Sequence, residues 1–412
     1  MSDVLLSIVG VVFGGLTAVL SFAVAIRLRE ARRLRLPPSS HVVSQPAITP
    51  QSGGYKDQDP LGSIPIATSV RSDLQDNARE RKESGDFTGA IRLLADLLAW
   101  DPPPRQRAAV HLELGDCFRE QIQHSEAETH FREAYSVAVA HGDDDLAARA
   151  LVDLADVFDD ISRSRESRLL AERALKIYSS LGDDEGRRHT INLLGLASFA
   201  LGELDAAERS FNEALEIAKE TGSEADQAEP LGNLGNVYLQ RDDLNAAEEH
   251  YMKALSLHQG IGSQINVARN LANLGAVYRG RGDLDKAEDH LKQALAIQEE
   301  IDDRLGQANQ LGNLANVYLT RGDLDAAEEH YMKALSIHEQ IGNRLGQAVG
   351  LRNLGTIYAE RAKHDKATEN HQKALVIFEE IGAVAQAEHL RRLIERLSND
   401  SESSEPDAPE SP

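Results

Sequence analysis

Apolar residues between positions 311 and 343 recur at helical spacing and are interrupted once. Leu311, Leu314, Ala315 and Tyr318 fall three to four residues apart and make one face of a first helix. Arg321-Gly322-Asp323 breaks the pattern, with glycine free to take the left-handed conformation that ends a helix and Asp323 placed near the next start. Leu324, Ala327, Tyr331, Ala334 and Leu335 make the face of a second helix. The whole pattern then repeats at a step of 40 residues. It reads LGNLGNVY from Leu231, LANLGAVY from Leu271, LGNLANVY from Leu311 and LRNLGTIY from Leu351. Degraded copies stand at Ile191 (INLLGLAS), Leu151 (LVDLADVF) and His111 (HLELGDCF). A period of this size means stacked two-helix units, none of which can bury its apolar face alone. The spacing predicts an all-α solenoid of about eight helix pairs, beginning near Asp73, Arg105, Asp145, Glu185, Asp226, Asn266, Leu305 and Leu345. A last, unpaired helix from about Val384 to Leu397, bearing Arg391, Arg392, Glu395 and Arg396, has the polar character of a cap.

Small residues occupy two fixed slots. Gly115, Ala155, Gly195, Gly235, Gly275, Ala315 and Gly355 share one in the first helix, where a larger side chain would push the partner helix away. Ala134, Ala174, Ala214, Ala254, Ala294, Ala334 and Ala374 share another in the second. Large residues such as Phe211, Tyr238, Tyr251, Tyr278, Tyr318 and Tyr358 fill the space between. With the run GDLDAAEEHYMKAL from Gly322, this arrangement resembles the tetratricopeptide repeat (TPR). Gly85, Ala90 and Pro102 stand where the shorter standard repeat has its turn glycine, packing alanine and terminal proline. The later units, about six residues longer, resemble those of kinesin light chains and many prokaryotic TPR proteins. The resemblance covers residues 73–397. It implies a right-handed superhelix whose first helices line a concave groove for a segment of a partner protein.

In that register Asn233, Asn273, Asn313 and Asn353 point into the groove, with Asn236 and Asn316 one turn further on. An amide both donates and accepts, so a row of them can satisfy the backbone of an extended peptide whatever its sequence. Copying of a recently duplicated unit is the alternative source of the row. The matching positions in the amino-terminal half are Glu113, Asp116, Asp153 and Asp156. A partner segment with Lys or Arg at one end fits such a groove; simple solvation of exposed helix faces is the other reading. The clamp by which chaperone-binding TPRs grip a terminal carboxylate needs lysines and arginines here. Arg269, Arg279 and Arg352 alone hold plausible places, and the clamp's lysines are unmatched. Arg241, Arg281, Arg321 and Arg361 sit at the turn before each second helix, where they can bond the last carbonyls of the first. His250, His290 and His330 recur at one per unit, a spacing that puts no two imidazoles on one metal.

Composition narrows the function. The net charge of −23, from 67 acidic and 44 basic residues, opposes nucleic acid and anionic lipid. The single cysteine, Cys117, excludes a disulfide framework, and its place beside Phe118 on a helix reads as buried. No phosphate loop, nucleophile elbow or metal-protease motif is present, so catalytic, cofactor and metal residues are expected to be none. Val4 to Ile26 is uncharged and apolar, long enough at ~1.5 Å per residue to cross a ~30 Å hydrocarbon layer. Ala23-Val24-Ala25 resembles a signal-peptide cleavage site, but the basic leader is missing and Arg27, Arg29, Arg32, Arg33 and Arg35 follow at once. Those arginines predict a cytoplasmic array on a retained single-pass anchor. Gly10, Gly14 and Ala18 offer a small-residue face for self-association. Residues 27–72 read as a basic, Pro/Ser-rich linker, and 398–412 as an acidic disordered tail. The expectation is a membrane-anchored, non-catalytic scaffold that binds a partner protein in its groove. An exported assembly factor and a structural oligomer are the alternatives.

Overall fold

The computed structural model describes residues 63–403, and among them the regular elements are helices throughout. The segment 4–26, with Gly10, Gly14, Ala18 and the following arginines, lies outside the described residues. Among the described residues no helix is long and apolar enough to cross a membrane.

Eight helix pairs follow in order. They are α1 (Ser63–Glu83) with α2 (Phe87–Ala99), α3 (Pro104–Glu120) with α4 (His124–Ala140), α5 (Asp144–Asp160) with α6 (Ser164–Leu181), and α7 (Asp184–Ala200) with α8 (Leu204–Glu220). Then come α9 (Glu224–Gln240) with α10 (Leu244–Ile261), α11 (Gln264–Arg281) with α12 (Leu284–Glu300), α13 (Arg304–Arg321) with α14 (Leu324–Ile341), and α15 (Arg344–Glu360) with α16 (His364–Glu380). The last helix, α17 (Val384–Ser403), packs Ala387 and Leu390 against Phe378 of α16. From α3 on, each first helix starts within two residues of its expected position. Two boundaries differ. Helix α1 begins at Ser63, upstream of Asp73 and inside the segment expected to be linker. Pro65 falls in its first turn, where the backbone N–H has no intrahelical partner to lose. Helix α17 runs past Leu397 to Ser403, because no proline interrupts the chain until Pro406.

The turns follow a single plan. Gly322 ends α13 in the left-handed conformation at φ 83°, and the Asp323 carboxylate caps α14 by accepting from the Ala326 N–H at 3.0 Å. Ile122, at φ 62°, holds the same conformation without glycine's freedom.

The described residues form two compact units, 63–207 and 208–403. In the carboxy-terminal unit Tyr251, Leu271, Leu274, Val277, Leu291 and Leu314 share one core cluster. Each such side chain contributes roughly 1.5–3 kcal/mol by leaving water. The small slot is what lets them meet. A Cβ added at Gly275 would stand 2.7 Å from Leu291 Cγ, and one at Gly235 would stand 2.5 Å from the Tyr251 ring. In the amino-terminal unit Gly115 meets Phe131 in the same way, at 2.4 Å. Cys117 is fully buried there, and burial pushes its thiol up to about 12, so it is inert packing.

Odd-numbered helices approach one another directly, α3 with α5, α5 with α7 and α11 with α13, more closely than the even-numbered ones do. The odd-numbered helices therefore form the inner layer of each unit.

The repeated arginines bond outside their own helices. Arg241, Arg281, Arg321 and Arg361 each reach back to a glutamate on the preceding even-numbered helix: Glu208, Glu248, Glu288 and Glu328. The second carboxylate oxygen of each accepts from a tyrosine hydroxyl: Tyr238, Tyr278, Tyr318 and Tyr358. The Tyr318–Glu288 and Arg321–Glu288 bonds are both 2.7 Å. A residue that bonds forward or backward by one repeat stitches neighbouring units together, which capping its own helix would not do.

Candidate functional site

The inner face of the carboxy-terminal unit is set by helix geometry. Gly235, Gly275, Ala315 and Gly355 face the partner helix, and the residue two positions earlier is turned about 200° away at ~100° per residue. Asn233, Asn273, Asn313 and Asn353 thus stand on the far side of the odd-numbered helices from the pair's core, each only partly buried. Asn313 donates to Gln310 Oε1 at 3.1 Å, and Asn353 Oδ1 accepts from the Arg352 guanidinium at 3.0 Å. Gly312, one residue before Asn313, has open space where a side chain would be, with nothing within 4 Å of an added Cβ. This face has room.

Asn236 and Asn316 have a different task. The Tyr251 hydroxyl, on a fully buried side chain, donates to Asn236 Oδ1 at 2.7 Å, and Tyr331 donates to Asn316 Oδ1 at 2.5 Å. These two amides complete the core by satisfying hydroxyls that would otherwise be buried without an acceptor. The sequence carries the signal at a spacing of 15 residues. Where the second-helix residue is tyrosine (251, 331) the first-helix residue is asparagine, and where it is Leu291 the partner is Ala276.

Three arginines of the odd-numbered helices stand outside these ion pairs. Among the described residues Arg269, Arg279 and Arg352 form no ion pair, whereas the arginines of the stitching ladder are all paired. Burial presses all three guanidinium groups below their ordinary value. Arg279 of α11, Arg352 of α15 and the Glu360 carboxylate all act electrostatically on the Tyr331 hydroxyl, which Asn316 holds. Arg269 acts on Tyr251 in the same manner, and the Glu229 carboxylate opposes the effect of burial on its guanidinium.

Most acidic positions of the amino-terminal unit have partners within the protein. Asp116 accepts from Lys82 Nζ at 2.7 Å, Asp156 and Asp160 from Arg119 at 2.7 and 2.5 Å, and Glu113 from Gln75 at 2.9 Å. Arg149 lies 3.8 Å from both Asp116 and Asp153. Burial, reinforced by the Asp116 charge, pushes the Asp153 carboxyl up to about 8. Glu113, Asp116 and Asp156 therefore carry internal bonds wherever they face. Sequence pattern located the acids, but the bases that neutralise them come from neighbouring helices some 34 to 41 residues away.

The repeated histidines are also occupied. His250, His290 and His330 donate from Nδ1 to the carbonyl four residues back and lie against Tyr238, Tyr278 and Tyr318, with ring centroids 4.8–5.0 Å apart. Among the described residues no group of His, Cys, Asp and Glu is arranged to hold a metal ion.

A family profile described as tetratricopeptide repeat matches residues 106–180, 186–260, 226–300 and 306–380. The chain belongs to the tetratricopeptide repeat family. No curated protein matches the sequence. Among solved structures it is similar to the apo form of the quorum sensor NprR from B. thuringiensis, at 12% identity and TM-score 0.63, covering 75% of this chain and 87% of that one. It is also similar to a Rap protein complexed with Competence and Sporulation Factor, at 15% identity and TM-score 0.56, covering 83% and 88%. A third is the Rap conjugation gene regulator of plasmid pLS20 in complex with the Phr* peptide, at 15% identity and TM-score 0.54, covering 78% and 98%. At these identities the likeness speaks to fold. The TPR array is thus a member of a fold used for protein binding.

Proposed function

We propose that the protein is a non-catalytic scaffold that captures an extended segment of a partner protein on the inner face of its carboxy-terminal unit. The observation that carries this reading is the row Asn233, Asn273, Asn313 and Asn353, placed on the face turned away from the core and left partly exposed at a regular step. Asparagine is a poor mid-helix residue, so its recurrence at four matching positions asks for a use. Backbone recognition by side-chain amides gives such a row a use. The peptide bound in the pLS20 Rap structure lends support by fold alone. The apolar segment 4–26 and its flanking arginines extend the reading to a tether that holds the array at the cytoplasmic face of a membrane.

Site-specific cross-linking in cells tests both parts. With p-benzoylphenylalanine at Gly312 the full chain should form a discrete adduct that disappears when Asn273, Asn313 and Asn353 are changed to alanine. The same probe at Met332, an exposed residue of α14, should give none. The adduct should sediment with membranes. Equal adducts from positions 312 and 332 would refute groove capture, and an adduct confined to the soluble fraction would remove the tether.

A further inference from the structure

The inner layer of the amino-terminal unit holds a carboxylate that its neighbours leave short of partners. Helices α3 and α5 approach each other directly there, and α5 carries Asp153, Asp156 and Asp160 at helical spacing along one face. Arg119 of α3 is taken by Asp156 and Asp160, at 2.7 and 2.5 Å, and Lys82 of α1 by Asp116 at 2.7 Å. Asp153 is left with Arg149, an exposed guanidinium that lies 3.8 Å from both Asp153 and Asp116 and so hydrogen-bonds to neither. The Asp153 Oδ2 atom is shut off from solvent and, among the described residues, has no hydrogen-bond partner. The other helices packed on α5 leave this shortage in place. Helix α4 meets it through Ala127, Phe131, Ala134 and Ala138, which carry no charge, and α6 brings the neutral Tyr178 hydroxyl towards Asp153. Helix α7 carries Arg188 and His189 one repeat after Ala148 and Arg149. An ionised carboxylate buried beside others is costly, so it takes up a proton instead. Burial, reinforced by Asp116 and Asp156, pushes the Asp153 carboxyl up to about 8, and burial pushes the neighbouring Asp159 up to about 6.

We propose that the contact between α3 and α5 is a proton-operated joint, closed while Asp153 carries a proton and loosened when its carboxyl gives that proton to water. In the closed joint a neutral Asp153 asks for no counter-charge, and Arg149 can stay in solvent. Ionised, it sets a third negative charge beside Asp116 and Asp156, on opposite sides of the contact, with Lys82 and Arg119 already taken. Opening relieves this by giving the carboxylate water. The direction of the response follows from where the proton is held. The closed joint binds it up to about pH 8 and the open joint only up to ~4, so opening is suppressed at low pH and rises with pH until the closed form itself ionises. One proton released per opening makes that rise about tenfold per pH unit. Asp159 adds its own release at lower pH, so the interval from about 6.5 to 7.5 isolates Asp153.

Amide exchange of the full-length chain in mild detergent, corrected for the intrinsic rate, reads the joint directly. Opening of α3 and α5 in wild type should rise about tenfold from pH 6.5 to 7.5, with no such rise in α9 to α16. Asp153→Asn should abolish the rise and leave both helices at pH 7.5 at least as protected as in wild type. Asp116→Asn removes the charge that most reinforces burial, so its rise should level off at a lower pH than in wild type. A carboxylate with a purely structural part would not respond in that way. Infrared spectroscopy supplies a readout that needs no variant to fold: wild type at pH 7 should show the carbonyl band of a protonated carboxyl, lost above about pH 8. A flat wild-type exchange profile, a rise that survives in Asp153→Asn, or the absence of that band at pH 7 would each overturn the joint.

Discussion

The two units are built from the same repeat and place their charges on different faces. In the amino-terminal unit the ion pairs run along the inner layer, from Lys82 of α1 to Asp116 of α3 and from Arg119 of α3 to Asp156 and Asp160 of α5. In the carboxy-terminal unit they run from an even-numbered helix to the next odd-numbered one, as Glu248 to Arg281 and Glu288 to Arg321. The substitution pattern explains the difference. Forty residues before Tyr238 and Arg241 stand Ser198 and Leu201, and forty before those stand Phe158 and Ile161, so the hydroxyl and guanidinium of the ladder are missing. The inner layer of the carboxy-terminal unit carries Asn233, Asn273, Asn313 and Asn353 where the amino-terminal unit carries acids. One unit has an inner layer tied by its own ion pairs, and the other has the inner layer proposed above for binding.

The largest effect should come from the small slot. Gly275→Leu drives a side chain into Leu291 and should cost about 3 kcal/mol, since overpacking a full contact is worth that much. Hydrogen exchange should show protection lost across 231–342 while α3 to α5 stays protected, because repeats support their neighbours first. Gly312→Leu, on the same helix layer but facing open space, should leave protection at or above wild type, as removal of a mid-helix glycine favours the helix. Similar losses from both changes would mean that the core face and the binding face have been misassigned.

Next in size is an opposite response to pH. The Asp153 carboxyl keeps its proton up to about pH 8 when folded and releases it near ~4 when unfolded, so the amino-terminal unit should lose stability as pH rises from 4 to 8. Burial lowers His258 and His338 to about 4, against ~6.5 in the unfolded chain. Below that value the unfolded state takes up protons first, so the carboxy-terminal unit should lose stability as pH falls from 6.5 to 4. Asp153→Asn should flatten the first trend alone. Exchange measured by mass spectrometry at pH values corrected for intrinsic rate would separate the units, and parallel pH profiles would contradict the assignment.

The smallest effect tests the ladder. Glu288→Ala removes the acceptor of Tyr318, Arg321 and Lys292 together, and its carboxyl is held down to about 2 in that company. The cost should be about 1 kcal/mol, as the pairs are partly solvated. Glu128→Ala, two repeats further towards the amino terminus plus two again, deletes only a pair within one helix, Glu128 with Arg132, and should cost a few tenths of that or less. Urea midpoints of the two variants would decide, and equal shifts would show that the ladder adds nothing between repeats.

By itself the sequence determined the eight pairs, their starting points from α3 on, the small-residue contacts and the row of asparagines, because each depends on spacing along one helix and recurs at a fixed step. Periodicity of that kind is a local property, repeated often enough to be read without coordinates. The tertiary structure decided which polar residues have partners. Asn236 and Asn273 look alike in the sequence, yet one is tied to the Tyr251 hydroxyl across the helix pair and the other stands on the open face. Asp116 and Arg279 both lie on odd-numbered helices, yet Lys82 pairs with the first and, among the described residues, no carboxylate pairs with the second. Neutralisation depends on the reach of a side chain from another helix, over a few ångströms and tens of residues, and that distance exists only once the helices are stacked.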